Sequence, residues 1–234
     1  MDQGIGHGMK IHIRFLLYVT LCLLWQTVAA AEGQEIKTRD EIILPEPSLK
    51  GAVSLEESIA RRRSARSYEF KKLSPEQISQ LLWAAQGITE SGRGLRAAPS
   101  AGALYPLEIY LVKEDGVFHY NPEDHSIVKK SARDARSNIV ISAWNQVFIQ
   151  QAPVSIVICA VRSRVTRKYG ERGDMYVDIE VGHVAQNIHL QAVALGLASV
   201  PVGAFDEGKV KEILDLPRDT EPVYIVPVGY GKGF

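Results

Sequence analysis

Apolar residues recur along this chain with two different periods, and these periods predict helices and strands. A spacing of three to four residues predicts helices at Leu55–Arg62, Ser74–Gly87, 131–151, Asp174–Leu195 and Asp206–Leu214. The second of these has the strongest start signal, because Ser74 can cap it, Pro75 suits its first position and Gln77 falls three residues after the cap. The long helix from Asp174 is apolar on nearly all faces, which is typical of either a central core helix or a subunit interface.

Continuous apolar runs predict strands at Glu108–Val112, Val117–Tyr120, Val154–Ala160, Ala198–Gly203 and Val223–Val228. Strands and helices mix without a regular strand–helix–strand repeat, so the sequence predicts an α+β fold. Residues 88–106 form a long predicted loop in which small residues stand between Pro99 and Pro106. Loops of this length in compact domains are usually functional or disordered, and the prolines and apolar content favour function.

Residues 1–31 have the features of a signal peptide. A positive segment that includes Lys10 and Arg14 precedes an apolar run at Phe15–Trp25, and Ala29–Ala31 supplies small residues for cleavage. The run is short for a membrane span. We therefore expect an exported protein, periplasmic or secreted, that meets the membrane only through this signal; an uncleaved anchor is the alternative.

The rest of the chain is predicted to be an extended segment followed by one folded domain. Residues 32–54 are polar and then extended, because Pro45 and Pro47 oppose a helix, and the domain is placed at 55–234. Of the two cysteines only Cys159 lies beyond the signal, so no internal disulfide can form. A lone cysteine in an apolar strand is more often a packing residue than a nucleophile.

Net charge and histidine spacing argue against two function classes, nucleic-acid binding and metal binding. The chain has 27 basic and 27 acidic residues and a formal net charge of zero, whereas nucleic-acid-binding proteins usually have a basic excess. We therefore expect no nucleic-acid partner. His183 and His189 lie six residues apart on the predicted long helix, so they point to different faces and cannot share a metal ion. No metal site is predicted.

The most unusual stretch is Arg61–Tyr68, which we call the arginine segment. It holds four arginines within six residues, and like charges this close repel one another unless an anion or solvent offsets them. A guanidinium matches phosphate oxygens with two parallel hydrogen bonds and stays charged at any working pH. An anion-binding patch is one interpretation. A solvated helix end, where cations suit the helix dipole, is the other.

Four segments occur along the chain in the order Arg62–Arg66, Pro99–Pro106, Gly182–Asn187 and Gly196–Phe205. Together they resemble the flavin-dependent nitroreductase superfamily, and specifically its branch similar to the azoline dehydrogenases of thiazole/oxazole-modified peptide biosynthesis. The resemblance spans about residues 42–234. It implies a nitroreductase-like fold, with a central and mainly antiparallel sheet flanked by helices, and FMN bound at a homodimer interface.

The resemblance also implies which residues bind FMN. The phosphate, ribityl chain and pyrimidine edge would be contacted by Arg62, Ser64 and Arg66, with Arg63 as a further contact. The other subunit would supply what we call the small-residue loop, which is Pro99, Ser100, Ala101, Gly102, Ala103 and Leu104. Many relatives have Asn where this chain has Ala103, so backbone groups must serve there. The remaining contacts would come from the backbone of Pro201, Val202, Gly203 and Ala204 and from the cation of Lys232.

Lys168 and Tyr169 lie in a charged stretch predicted as a helix or loop. They match a Lys–Tyr pair that azoline dehydrogenases use to remove a proton while hydride passes to the flavin; a solvated charged helix is the alternative. The expected function is an FMN-dependent oxidoreductase that transfers hydride between the flavin and a small or peptide-like substrate. The alternatives are an NAD(P)H-dependent nitro or quinone reductase, and an exported flavin-binding protein without turnover.

Overall fold

The computed structural model of the protein describes residues 40–233. The predicted signal peptide at 1–31 and the start of the extended segment lie outside these residues. Within 40–233 no helix combines the length and the apolar character that a membrane crossing requires.

A seven-stranded sheet forms the centre of the described chain, and every pair of neighbouring strands in it is antiparallel. Its strands are β1 (Glu41–Ile43), β2 (Leu107–Lys113), β3 (Gly116–Asn121), β4 (Ser126–Ser131), β5 (Val154–Ala160), β6 (Ala198–Ser199) and β7 (Glu221–Gly229). In space the order is β1-β4-β3-β2-β5-β7-β6. The short strands β1 and β6 therefore form the two edges, and β5 lies inside the sheet.

Within residues 40–233, seven α-helices surround the sheet. They are α1 (Leu55–Arg61), α2 (Pro75–Gln86), α3 (Arg136–Ser142), α4 (Phe148–Gln151), α5 (Ser163–Tyr169), α6 (Arg172–Ala194) and α7 (Glu207–Leu214). A 3₁₀ helix spans Ala101–Ala103. The predicted start of α2 is confirmed, because the hydroxyl of Ser74 accepts from the amide of Gln77 and the Gln77 side chain accepts from the amide of Ser74.

Helices cover both faces of the sheet, which explains the unbroken apolar run of β5. Ile156 and Ile158 belong to the core that includes α2 and α6, whereas Val157 and Cys159 belong to the core that includes α3, α4 and α7. A strand buried on both faces has no polar face to alternate with. The predicted α+β class and the mainly antiparallel sheet flanked by helices are both confirmed.

The structure corrects three local predictions. The single helix predicted over 131–151 is wrong: β4 runs to Ser131, and α3 and α4 are separated at Trp144 and Asn145, whose φ angles of 49° and 62° are left-handed and cannot continue a helix. The stretch predicted as a long loop contains a hairpin, Ile88–Glu90 with Leu95–Arg96. The strand predicted over Ala198–Gly203 keeps only β6, followed by a single bridge between Val202 and Ile225.

Tyr68 fastens the arginine segment to the sheet. Its side chain is 1 % exposed, and its hydroxyl lies 2.7 Å from the carbonyl oxygen of Ala65 and 3.2 Å from that of Pro227 in β7. Burial raises the pKa of Tyr68 above its ordinary value, so the hydroxyl remains a donor. One side chain thus joins the arginine segment to an inner strand.

Replacing Tyr68 with Phe tests this anchor. We expect Tyr68→Phe to lower the free energy of unfolding by about 1–2 kcal/mol, because two buried carbonyls lose their hydroxyl donor, and urea unfolding measures it. Tyr224→Phe is the matched control, since the Tyr224 hydroxyl has no hydrogen-bond partner within 40–233, and we expect a change below about 0.5 kcal/mol there. Equal losses in the two variants would contradict the anchoring role.

Candidate functional site

Three stretches that lie far apart in the sequence meet near the β6 edge of the sheet. The amide of Ala65 donates to the carbonyl of Ser199 at 3.0 Å, which pairs the arginine segment with β6. The amide of Lys232 donates to the carbonyl of Ser67 at 3.1 Å, which joins the C-terminal tail to the same segment. These bonds bring together predicted cofactor residues from three parts of the chain, namely Arg62, Ser64, Arg66, Pro201–Ala204 and Lys232.

Three cations of this region have no carboxylate partner in the described part of the chain. Arg62, Arg66 and Lys232 form no ion pair within 40–233. The guanidinium of Arg66 lies 5.9 Å from the ring centre of Phe148, and Lys232 Nζ lies 5.8 Å from that of Phe70. Unpaired cations beside the exposed hydroxyl of Ser64 suit the phosphate of a nucleotide-like cofactor.

The other two arginines of the segment are already occupied. Arg61 pairs with Glu57 at 2.8 Å on the surface of α1. Arg63 Nη1 donates to the carbonyls of Ala60 at 3.0 Å and Arg62 at 2.7 Å, so its guanidinium satisfies carbonyl groups at the end of α1. The assignment of Arg63 to the cofactor therefore stays a prediction.

His189 on α6 contacts this region from the interior of the protein, and sequence reasoning did not assign it to the site. Its side chain is buried, with Nε2 at 3.2 Å from Arg62 Nη1 and Nδ1 at 2.6 Å from Ser199 Oγ. Burial, and then the nearby charge of Arg62, lower the pKa of His189 to about 4. The imidazole is therefore neutral at pH 7. The helix pattern predicts only that His189 faces inward. It does not predict the contacts with Arg62, which follows α1, and with Ser199 in β6.

The small-residue loop has an uncommon backbone. Gly102, Ala103 and Tyr105 have positive φ angles of 64°, 53° and 43°, which cost little at glycine and more at the other two. The hydroxyl of Ser100 accepts from the amide of Tyr105 at 2.9 Å and helps to hold this shape. Backbone strain of this kind concentrates at functional sites, which agrees with the functional loop predicted here.

Lys168 and Tyr169, at the end of α5, converge on that loop. A Cβ added to Gly102 would lie 2.7 Å from Tyr169 Oη and 2.9 Å from Lys168 Nζ. The ring of Tyr169 is held by an edge contact with Tyr176, with ring centres 5.2 Å apart. The structure thus brings together two groups of predicted site residues that are more than sixty positions apart in the sequence.

The predicted site residues fall into two groups. Among residues 40–233 no hydrogen bond links the small-residue loop to the arginine segment or to Pro201–Ala204. One group consists of Arg62, Arg66 and Lys232 with Pro201–Ala204. The other consists of the small-residue loop with Lys168 and Tyr169.

Buried polar groups on α6 and α2 lie near the loop, and sequence reasoning missed them as well. The 3₁₀ helix of the loop contacts α6, on which Glu180 is 2 % exposed, and burial raises the pKa of its carboxyl. Its Oε1 accepts from Gln86 at 3.4 Å, whereas its Oε2 has no hydrogen-bond partner within 40–233. Gln86 in turn accepts from Arg96 at 3.3 Å. Gln86 thus links the buried carboxyl on α6 to Arg96, which precedes the loop in the sequence.

A cavity of about 710 Å³ lies elsewhere in the described chain. It is lined mainly by residues 69–78, 113–115 and 147–154. Two of its cations are paired, Lys72 with Glu114 and Lys113 with Asp115. It contains none of the predicted cofactor residues.

Comparison with known proteins agrees with the fold. The model of the nitroreductase family matches residues 59–230. A protein of Methanocaldococcus jannaschii that is named a nitroreductase is 44% identical over 183 residues, which covers 76% of this chain and 91% of that protein. The microcin B17-processing protein of Escherichia coli is 24% identical over 213 residues, which covers 85% of this chain and 78% of that protein.

A solved structure is similar over most of its length. A crystal structure from Ralstonia eutropha, described as that of a nitroreductase, superposes with a TM-score of 0.76 at 28% identity, covering 85% of this chain and 92% of that one. Members of the matched family are oxidoreductases that bind a flavin, typically FMN. The family match includes every predicted site residue except Lys232. This chain therefore belongs to the nitroreductase family of oxidoreductases.

Proposed function

We propose that this protein binds FMN at a homodimer interface and transfers hydride between the flavin and a small or peptide-like substrate, in the manner of an azoline dehydrogenase. The observation that carries the proposal is the convergence of Lys168 and Tyr169 on Gly102. It puts an amine and a phenol beside the loop that the resemblance assigns to the face of the flavin.

The residues near the β6 edge fit the cofactor. FMN would supply the hydride chemistry, while the protein supplies position and charge. Arg62, Arg66 and Lys232 would bind the phosphate and the negatively charged edge of the reduced ring, since they have no carboxylate partner within the described chain. The amides of Gly203 and Ala204 donate no hydrogen bond to any group within 40–233 and are open to a ring acceptor.

A second subunit would complete the site. On α6, Met175 and Ile179 are 41% and 48% exposed, one turn apart on the same face. On α1, which packs against α6, Leu55 and Ile59 are also exposed. Exposed apolar side chains on two neighbouring helices are typical of a subunit interface. The long helix α6 is apolar on several faces for two reasons. Met175 and Ile179 would lie in the subunit interface, and the apolar residues of its other faces lie in the core.

Ile179→Glu tests the dimer. A buried glutamate in each subunit would face its symmetry-related copy, so we expect light scattering to show a monomer and FMN to be lost. Ile42→Glu is the control, because Ile42 is 47% exposed, close to the 48% of Ile179, but lies on strand β1. A monomeric wild type, or a dimer that survives Ile179→Glu, would refute this interface.

Lys168 and Tyr169 would handle the proton of the reaction. Oxidation of an azoline ring to an azole removes one hydride and one proton. The bound flavin would accept the hydride, and whichever of Lys168 and Tyr169 acts as the base would accept the proton from the adjacent ring carbon. The other group would hold the substrate ring or stabilise the base.

The choice of substrate separates this proposal from its alternative. Similarity to the microcin B17-processing protein favours a modified peptide, and the 44% identity to a protein named a nitroreductase favours a nitro or quinone substrate reduced with NAD(P)H. The predicted export signal favours the first, because NAD(P)H is scarce outside the cytoplasm.

The two functions differ in what reduces the bound flavin. Under anaerobic conditions we expect a thiazoline-containing peptide to bleach the flavin absorbance within one turnover and NADPH to leave it unchanged. Prompt bleaching by NADPH with no response to the thiazoline would establish the reductase instead. Absence of bleaching by either would support a flavin-binding protein without turnover.

Gly102→Ala tests the proton-handling pair. The new methyl group would displace Tyr169 Oη and Lys168 Nζ, so we expect flavin reduction by the thiazoline peptide to slow by about a hundredfold. Gly94→Ala is the control, because its φ of 62° nearly equals the 64° of Gly102 but nothing lies within 4 Å of its added Cβ. Equal slowing in both variants would show that backbone strain, and not the pair, is responsible.

A further inference from the structure

His189 makes one hydrogen bond with each ring nitrogen, and the two partners belong to different walls of the proposed flavin site. Nε2 lies 3.2 Å from Nη1 of Arg62, at the end of α1. Nδ1 lies 2.6 Å from Oγ of Ser199 in β6, which leads into Pro201–Ala204. The side chain is 3% exposed, so it lies behind the site.

The partners determine which nitrogen carries the proton. A guanidinium can only donate hydrogen bonds, so Nε2 of His189 must be the acceptor. The single ring proton is then on Nδ1, which donates to Ser199 Oγ. The low pKa of His189 agrees with this neutral form, because a protonated ring would have no acceptor for Arg62.

The contact also fixes which part of Arg62 remains available. His189 occupies one N–H of Nη1, and no other acceptor of Arg62 is present in the described chain. The edge formed by Nε and Nη2 is free. That edge is the one a guanidinium uses for two parallel hydrogen bonds to a phosphate.

We propose that His189 is a positioning residue of the flavin site, which turns the Nε–Nη2 edge of Arg62 toward the FMN phosphate and is itself held by Ser199. The role rests on the proposed function, since it requires FMN at this site. It assigns His189 no contact with flavin or substrate. It holds the long, flexible side chain of Arg62 in one orientation before the cofactor binds, so that less conformational entropy is lost on binding.

Three substitutions of His189 test its two hydrogen bonds one at a time. His189→Gln can place an acceptor near the position of Nε2, His189→Asn can keep a donor near that of Nδ1, and His189→Phe keeps neither. We expect the FMN dissociation constant to rise by about tenfold in His189→Phe, the factor that one lost charge-assisted contact produces. His189→Asn should behave similarly, and His189→Gln should recover most of the affinity.

Riboflavin, which lacks the phosphate, and a double-mutant cycle complete the test. Riboflavin should bind wild type and His189→Phe equally, and His189→Phe should have no further effect on FMN binding in an Arg62→Ala background. A parallel loss of riboflavin affinity, or an undiminished loss in the Arg62→Ala background, would refute the role and indicate general damage to the fold.

Wild-type binding separates this inference from the proposed function. If wild type fails to bind FMN, the proposed function is wrong and the role of His189 falls with it. If wild type binds FMN but the cycle shows no coupling, only the role of His189 is wrong. If His189→Phe does not fold, Ser199→Ala replaces it in the cycle, because loss of the Nδ1 partner should produce the same phosphate-specific weakening.

Discussion

The site depends on backbone hydrogen bonds that hold, near one edge of the sheet, positive charges with no carboxylate partner among residues 40–233. Ala65 is bonded to Ser199, and Lys232 to Ser67, so three distant stretches of chain cannot separate without breaking main-chain pairs. Tyr68 adds a buried hydroxyl that reaches an inner strand. Because guanidinium and ammonium groups repel one another, a rigid frame that keeps them near each other raises the affinity for an anion placed among them. The same bonds therefore serve the fold and the proposed cofactor site.

The second group of predicted site residues, the small-residue loop with Lys168 and Tyr169, is held in place by a different set of contacts. The left-handed backbone at Gly102 and Ala103 is held in part by the Ser100 hydroxyl, which accepts from the amide of Tyr105. α5 then ends so that Lys168 and Tyr169 reach the same glycine. Under the proposed function, neither group is a complete site in one chain. The exposed Met175 and Ile179 on α6 would then belong to the surface through which a second copy brings one group to the other.

The sequence predicted the elements whose signals are local. The capping box of α2 and the buried strand β5 were found because periodicity and caps act within a few residues. The helix predicted over 131–151 failed because left-handed Asn145 and its neighbour interrupt a pattern that looks continuous. The contacts of His189 and the approach of Tyr169 to Gly102 could not be predicted, since each joins elements that only the tertiary fold brings together. The resemblance supplied the predicted cofactor residues, which stay a prediction, but not the contacts that position them.

A crystal structure with FMN bound is the most direct measurement of the central claim. The account predicts that Arg62 and Lys232 of one subunit contact the phosphate and that the small-residue loop of the partner subunit packs against the ring. It also predicts that Lys168 and Tyr169 face the substrate side of that ring. A flavin in the large cavity beside Lys72, or one bound wholly within a single chain, would contradict it.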